Sequence, residues 1–155
     1  MSAKPILLFV VNEAYFFVSH RLPIALQAMD QGYDVNIAAP SDNIWAPAGF
    51  SVAALSKQGF TYHEIPLSRR GTRPWQEMCT FFSLLSLYKR FQPDIIHHLT
   101  IKPNLYGGLA ARLAGVPSVV YAITGLGQMF VGTRGTLRLI KPIVLWFLRV
   151  AMSHR

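Results

Sequence analysis

Two adjacent histidines, His97 and His98, form the polar end of a short apolar run that begins at Asp94. An imidazole can bind a metal ion, or can hydrogen-bond a sugar or a phosphate. Successive residues of a strand face opposite sides of a sheet, so one strand cannot aim both rings into one cleft. We therefore expect one histidine in the core or in a supporting role, and the other on a ligand. No metal site is expected, because no nearby Cys, Asp or Glu completes a ligand set.

A second candidate element is the turn at Thr124, Gly125 and Gly127, which follows the β-branched run Ser118–Ile123. Glycine permits positive φ and lets a ligand approach main-chain N–H groups. We expect this turn to contact substrate. A tight loop without a ligand is the alternative.

A third set, Asn12, His20 and Arg21, lies between the first predicted strand and the first predicted helix. We predict that this helix runs from about His20 to Gln31. Its free N–H groups and its dipole would favour an anion beside His20 and Arg21. In the alternative, Ser19 is simply the N-cap of this helix and these two side chains are solvated. The chain has no GxGxxG motif, which argues against dinucleotide binding.

Three arginines, Arg69, Arg70 and Arg73, fall in one predicted loop. Guanidinium groups match phosphate oxygens bidentately. The aromatic-rich helix predicted after them, Trp75–Phe91, has a charge-free run too short to span a bilayer. We expect most of its apolar side chains in the core. Arginines before such a helix also suit contact with an anionic lipid surface or a lipid diphosphate.

The net charge of +8 is unevenly placed, because all seven acids lie at or before Asp94 and the seven basic residues beyond it have no acid among them. A basic half attracts phosphates, nucleic acid or anionic lipids. No nucleic-acid-binding motif occurs, so membrane or phosphate is the preferred interpretation. Apolar content of 52% and a length of 155 residues predict one globular domain. The single cysteine, Cys79, cannot form an internal disulfide.

Strands and helices that could position these residues alternate along the chain, which predicts an α/β fold with a doubly wound, Rossmann-like parallel sheet. We expect the first, second, fourth and fifth strands to be central, with the candidate residues at the carboxyl edge, where ligands bind. Inside the fourth helix, Gly107 and Gly108 are expected to allow close packing on the sheet. The predicted strands are Ile6–Val11, Tyr33–Ala39, Thr61–Ile65, Asp94–His98 and Ser118–Ile123; the predicted helices are His20–Gln31, Ile44–Gln58, Trp75–Phe91, Pro103–Gly115 and Thr136–Met152.

Five segments, in this order and spacing, resemble the bacterial family 4 glycosyltransferases, which have the GT-B fold. They are Val10–Pro23, Pro66–Thr72, Pro93–His98, Lys102–Asn104 and Thr124–Gly127. The resemblance covers essentially the whole chain and adds Lys102 to the substrate-binding candidates. Many members carry a histidine after the fifth strand, where this chain has Thr124. That histidine's role cannot be transferred, and the catalytic residues stay unassigned.

The resemblance implies that residues 1–155 are the N-terminal, acceptor-side domain, and that the C-terminal nucleotide-sugar domain with its paired glutamates is absent. The family moves a sugar from a nucleotide donor, here expected to be UDP-linked, to a polyprenyl-diphosphate-linked acceptor. It does so at the cytoplasmic membrane face, in O-antigen and capsule synthesis, and no cofactor is expected. A non-catalytic, membrane-associated adaptor that kept the fold is the alternative.

Overall fold

The computed structural model describes residues 3–41, 46–68, 73–124, 142, 145, 146 and 148–153. The strands are β1 (Ile6–Val10), β2 (Asp34–Ala39), β3 (Thr61–Glu64), β4 (Ile95–Leu99) and β5 (Ser118–Ala122). The helices are α1 (Ala14–Asp30), α2 (Val52–Lys57), α3 (Pro74–Phe91), a π-helix at Pro103–Gly107, and α4 (Gly108–Ala114). Of the last predicted helix, the described residues 142, 145, 146 and 148–152 are helical, and the rest lies outside the described part.

All five strands are parallel, in the order β3-β2-β1-β4-β5. The middle strand is β1, where Phe9 has Ile37 of β2 on one side and His97 of β4 on the other. The parallel α/β architecture is therefore confirmed. The expected central place of the fifth strand is wrong, because β5 pairs only with β4 among the described strands and so forms an edge.

The sheet is covered on both faces, as a doubly wound fold requires. Phe9 and Val11 pack in one cluster with residues of α1 and α2. Leu8 and Val10, which alternate with them, pack in a second cluster with residues of α3 and α4. Each β1 side chain that is fully buried thus belongs to one of two cores, which explains the almost continuous apolar run of this strand.

Two helix boundaries differ from the prediction. The first helix begins at Ala14, after a short loop that follows β1, because Ala14 and Phe17 are fully buried and the Phe17 ring meets Phe9 edge-on at 5.3 Å. The second helix begins only at Val52, where the Ser51 hydroxyl accepts a hydrogen bond from the Ala53 N–H. Tertiary packing decides the first boundary and a side-chain cap decides the second.

The fourth helical segment opens with a π-helix, which the periodicity did not predict. Thr100, between β4 and this helix, has a φ of +73°, in the left-handed region that non-glycine residues rarely adopt. π-Turns widen a helix locally and occur often at functional sites. The unusual backbone therefore lies at the carboxyl end of β4, beside the two histidines.

Gly107 ends the π-helix against the His98 ring. A Cβ at this position would overlap His98 Nε2 and would lie 3.0 Å from the Tyr88 hydroxyl. At Gly108 a Cβ would lie 2.9 Å from the Tyr121 ring. The expected role of both glycines in close packing is confirmed.

Gly107→Ala should destabilise the chain. Overpacking costs about 1–3 kcal/mol, whereas the gain in helix propensity is at most about 1 kcal/mol. In a His98→Ala background the ring is gone and the Tyr88 hydroxyl is the remaining close neighbour of the added methyl group, so the same Gly107→Ala substitution should cost much less. Urea denaturation of the four proteins measures both effects. An equal loss in both backgrounds would show that the His98 ring is not what the methyl group meets.

Candidate binding site at the carboxyl edge of the sheet

His97 and Arg21 are brought together on the face of the sheet covered by α1. The His97 ring lies 5.2 Å from that of Phe9, and its pKa is lowered to about 4, first by burial and then by the positive charge of Arg21. At neutral pH this imidazole is uncharged, so it can donate one hydrogen bond and accept another. Of the predicted candidates, these two form the clearest pair.

The predicted anion site at a helix N-terminus is wrong, because His20 and Arg21 lie inside α1 rather than at its start. Ser19 is no N-cap, since its hydroxyl donates to main-chain carbonyls one turn back, at Tyr15 and Phe16. The His20 ring is exposed, stacks on Phe16 at 4.3 Å and lies 2.6 Å from Ser19 Oγ. Any anion beside these residues must therefore be held by side chains rather than by the helix terminus.

Arg21 has one buried atom, Nε, with no hydrogen-bond partner among the described residues. Its Nη1 donates to the neighbouring carbonyl of His20 at 3.2 Å. A buried, unpaired N–H is unfavourable unless a partner arrives. Asn12, half-buried in the loop between β1 and α1, lies at the carboxyl edge as predicted.

His98 lies on the opposite face of β4 and is fully buried. Its Nε2 is 2.9 Å from the Tyr88 hydroxyl, and its ring lies 5.6 Å from that of Tyr121. Burial raises the pKa of Tyr88 well above its ordinary value, so this phenol stays protonated. His98 is therefore the core histidine that the strand alternation predicted.

Lys102 joins α3 to the loop after β3. Its Nζ lies 2.6 Å from Glu77 Oε1 and donates to the Ser68 carbonyl at 2.8 Å. Glu77 also accepts from Tyr106, and burial followed by this carboxylate raises the pKa of Tyr106. The lysine fixes the main chain at Ser68, immediately before Arg69 and Arg70, which lie outside the described residues.

Asn104 was not singled out from the sequence as a site residue. It is fully buried, its Nδ2 donates to the Ala122 carbonyl at 3.2 Å, and Thr100 N donates to the same oxygen at 3.1 Å. Its Oδ1 has no partner among the described residues. In the sequence, a polar residue directly after Pro103 is the feature that could have indicated this buried site. Asn104 links the π-helix to the end of β5, close in sequence to the exposed Thr124. Gly125 and Gly127 lie outside the described part.

An apolar groove of about 480 Å³ runs between α3 and the π-helix with α4. Its lining consists of Glu77, Met78, Phe81, Phe82, Leu105, Tyr106 and Leu109. Trp75, Met78 and Phe82 are 50% or more exposed on α3, and Arg73, also exposed, precedes the helix. No helix in the described part of the chain is long and apolar enough to cross a membrane.

Comparison with known proteins gives a consistent set of relatives. An Escherichia coli UDP-Gal:alpha-D-GlcNAc-diphosphoundecaprenol alpha-1,3-galactosyltransferase is 38% identical over 61 residues, 39% of this chain and 16% of the relative. A Campylobacter jejuni N,N'-diacetylbacillosaminyl-diphospho-undecaprenol alpha-1,3-N-acetylgalactosaminyltransferase is 24% identical over 137 residues, 87% of this chain and 35% of the relative. The chain thus matches about a third or less of the length of these curated relatives.

Two solved structures share the fold. Acinetobacter baumannii MurG has a TM-score of 0.53 at 23% identity, over 77% of this chain and 35% of its own. The glycosyltransferase VinC, solved with dTDP, has a TM-score of 0.53 at 21% identity, over 97% of this chain and 39% of its own. The fold is the Rossmann-like sheet of GT-B glycosyltransferases. Residues 6–152 also match the family described as glycosyl transferase 4-like, and since this match spans nearly the whole sequence, the chain belongs to that family.

Proposed function

We propose that this chain is the acceptor-side domain of a GT-B glycosyltransferase that moves a sugar from a nucleotide donor to a polyprenyl-diphosphate-linked acceptor. The observation that carries the proposal is the family match over residues 6–152 on a five-stranded parallel α/β sheet. Both curated relatives are named for acceptors on an undecaprenyl diphosphate, and one is named for a UDP-galactose donor. We assign this chain a UDP-linked donor and a role in O-antigen or capsule synthesis, with the donor bound by a second domain.

The acceptor residues in this proposal surround the carboxyl edge. The neutral ring of His97 hydrogen-bonds an acceptor hydroxyl, and Arg21, whose Nε is buried and unpaired within the described residues, pairs with an acceptor phosphate. Asn12 and Thr124 complete the described part of this wall, and Gly125 and Gly127, outside the described residues, remain predicted contacts. Such a wall supplies position and charge neutralisation, which together can lower a transfer barrier by several kcal/mol.

The membrane contact in this proposal is the surface around the start of α3. Exposed Trp75, Met78 and Phe82 follow the exposed Arg73, and Arg69 and Arg70 stand just before it in the sequence. Apolar side chains beside guanidinium groups suit the boundary between acyl chains and anionic headgroups. We place the protein peripherally at the inner face of the cell membrane.

Protonation of His97 should lower stability. Below a pH of about 6.5 the unfolded chain takes up a proton at this ring, whereas the folded chain does so only near pH 4. The free energy of unfolding should therefore fall as the pH decreases across this window. In His97→Gln the free energy of unfolding should decrease less over the same pH range. Urea denaturation at several pH values measures this difference.

The matched control for that experiment is His20→Gln, at an exposed position on α1. It should keep the slope of the parent chain. His63, whose pKa burial also lowers, contributes equally to all three proteins. An identical slope in His97→Gln and the parent would contradict a neutral, buried His97.

Anionic vesicles should bind the chain more tightly than neutral ones, with each basic residue near the surface contributing roughly 1 kcal/mol. Replacing Arg69, Arg70 and Arg73 with alanine should weaken this binding in a sedimentation assay and leave the unfolding curve unchanged. A control removes three other exposed charges, at Lys4, Lys57 and Lys89, and should bind like the parent. Equal binding of the parent to neutral and anionic vesicles at low salt would refute the membrane contact.

Activity should require the second domain. Residues 1–155 alone should neither bind a UDP-sugar tightly nor transfer it, and a family C-terminal domain supplied in cis or in trans should restore transfer onto a polyprenyl-diphosphate sugar. In that assembly, Arg21→Ala should reduce transfer about tenfold or more, the cost of one charged hydrogen bond. Incorporation of labelled sugar measures both. Transfer by the isolated chain would contradict the assignment of the donor site to a second domain. An assembly without activity would favour the alternative, a non-catalytic membrane-associated adaptor.

A further inference from the structure

We propose that the groove between α3 and the π-helix with α4 binds the isoprenoid chain of the lipid-linked acceptor, next to its diphosphate. The inference rests on the proposed function, because that function supplies a polyprenyl diphosphate as the ligand. It goes further by naming where the first isoprene units lie. A volume of about 480 Å³ is within the range of small-molecule sites.

The shape of the groove favours a single chain over a bilayer surface. One wall is α3, with Met78, Phe81 and Phe82, and the other wall is formed by Leu105 and Leu109. A flat apolar patch would suit insertion into a bilayer, whereas two facing walls can enclose one flexible apolar chain. Removal of its apolar surface from water favours the complex.

Charge at one end of the groove fixes the direction of the ligand. Glu77 lines the groove, and its N–H donates to the Arg73 carbonyl, so the exposed Arg73 lies one turn earlier on α3. Lys102 lies at the same end, where its Nζ is paired with Glu77, so Arg73 supplies the positive charge that no described carboxylate balances. A ligand with an apolar tail and an anionic head therefore fits with its head toward Arg73 and its tail toward Leu109. No other described carboxylate lines the groove.

The π-helix ties this groove to the cleft. It presents Leu105 and Tyr106 to the groove, and its Asn104 holds the end of β5 at Ala122. One short segment thus forms a groove wall and also fixes part of the carboxyl edge. A chain bound in the groove would keep the attached sugar near that edge.

The test is equilibrium binding of geranylgeranyl diphosphate to the full chain by calorimetry, below the micelle concentration, with inorganic diphosphate and geranylgeraniol as the separate head and tail. The diphosphate lipid should bind more tightly than either part. Leu109→Trp should fill the groove and weaken binding about tenfold or more. The matched control is Leu113→Trp, one turn further on α4 at a position 59% exposed, and it should bind like the parent.

A second pair of variants guards against misfolding. Met78→Glu places a charge in the groove at a half-exposed position, and Ser86→Glu places the same charge on α3 outside the groove lining. Of these two variants, only Met78→Glu should lose binding of geranylgeranyl diphosphate. Equal binding by all four variants, or binding of the lipid no tighter than of inorganic diphosphate, would overturn the inference.

Two further results separate this inference from its alternatives and from the proposed function. Leu109→Trp should still sediment with anionic vesicles; loss of vesicle binding together with lipid binding would mean that the groove serves the bilayer and would overturn the inference. In an active two-domain assembly, Leu109→Trp should raise the KM for the lipid-linked acceptor. An unchanged KM would refute the groove and leave the transferase intact. Groove-dependent binding without any transfer would support the groove and refute the transferase.

Discussion

The hydrogen bond between Tyr88 and His98 is buried where α3, β4 and the π-helix meet. Because burial keeps Tyr88 protonated, its hydroxyl can donate to His98 Nε2 when the ring carries its proton on Nδ1. Gly107 allows the π-helix to approach both side chains, since a Cβ there would overlap the ring. This junction sets the spacing of α3 and the π-helix, on which the groove and the Lys102–Glu77 contact both depend.

Because successive side chains of β4 point to opposite faces of the sheet, the two histidines lie in different environments. His98 faces α3 and is enclosed, whereas His97 faces α1, remains partly accessible and has Arg21 as its charged neighbour. A one-residue shift of the register would exchange the two environments and place the more accessible ring in the Tyr88 pocket. The same strand therefore supplies one packing histidine and one that can meet a ligand.

The parallel strands and the opposite orientation of His97 and His98 could be predicted from the sequence. They follow from apolar and β-branched runs and from the two-residue period of a strand, which are local properties. Most of α3 was predicted for the same reason, since Pro74 and Pro93 bracket a long apolar helix. The family resemblance, tied to ordered motifs, was confirmed as well.

Other features depend on contacts that no local pattern encodes. The start of α1 at Ala14 is decided by the packing of Phe17 on Phe9, and the polar residues nearby had suggested a loop. The edge position of β5 depends on strand pairing rather than on composition. The buried Asn104 and the groove require knowledge of which helix packs beside the π-helix. The position of residues such as Asn12 and His97 at the carboxyl edge could therefore be predicted, whereas the contacts that hold this edge in place could not.

The basic residues at this end of the sheet differ in how available their charge is. Lys102 and Glu77 form an ion pair at 2.6 Å with side chains only 22% and 14% exposed. A phosphate that engaged Lys102 would have to leave this carboxylate without its partner, which is costly in a largely buried site. Arg21 and Arg73 form no ion pair with any described carboxylate, so their charge is not already balanced in this way. The arginines are thus suited to binding an anion, whereas Lys102, through the Ser68 carbonyl, holds the main chain from which Arg69 and Arg70 extend.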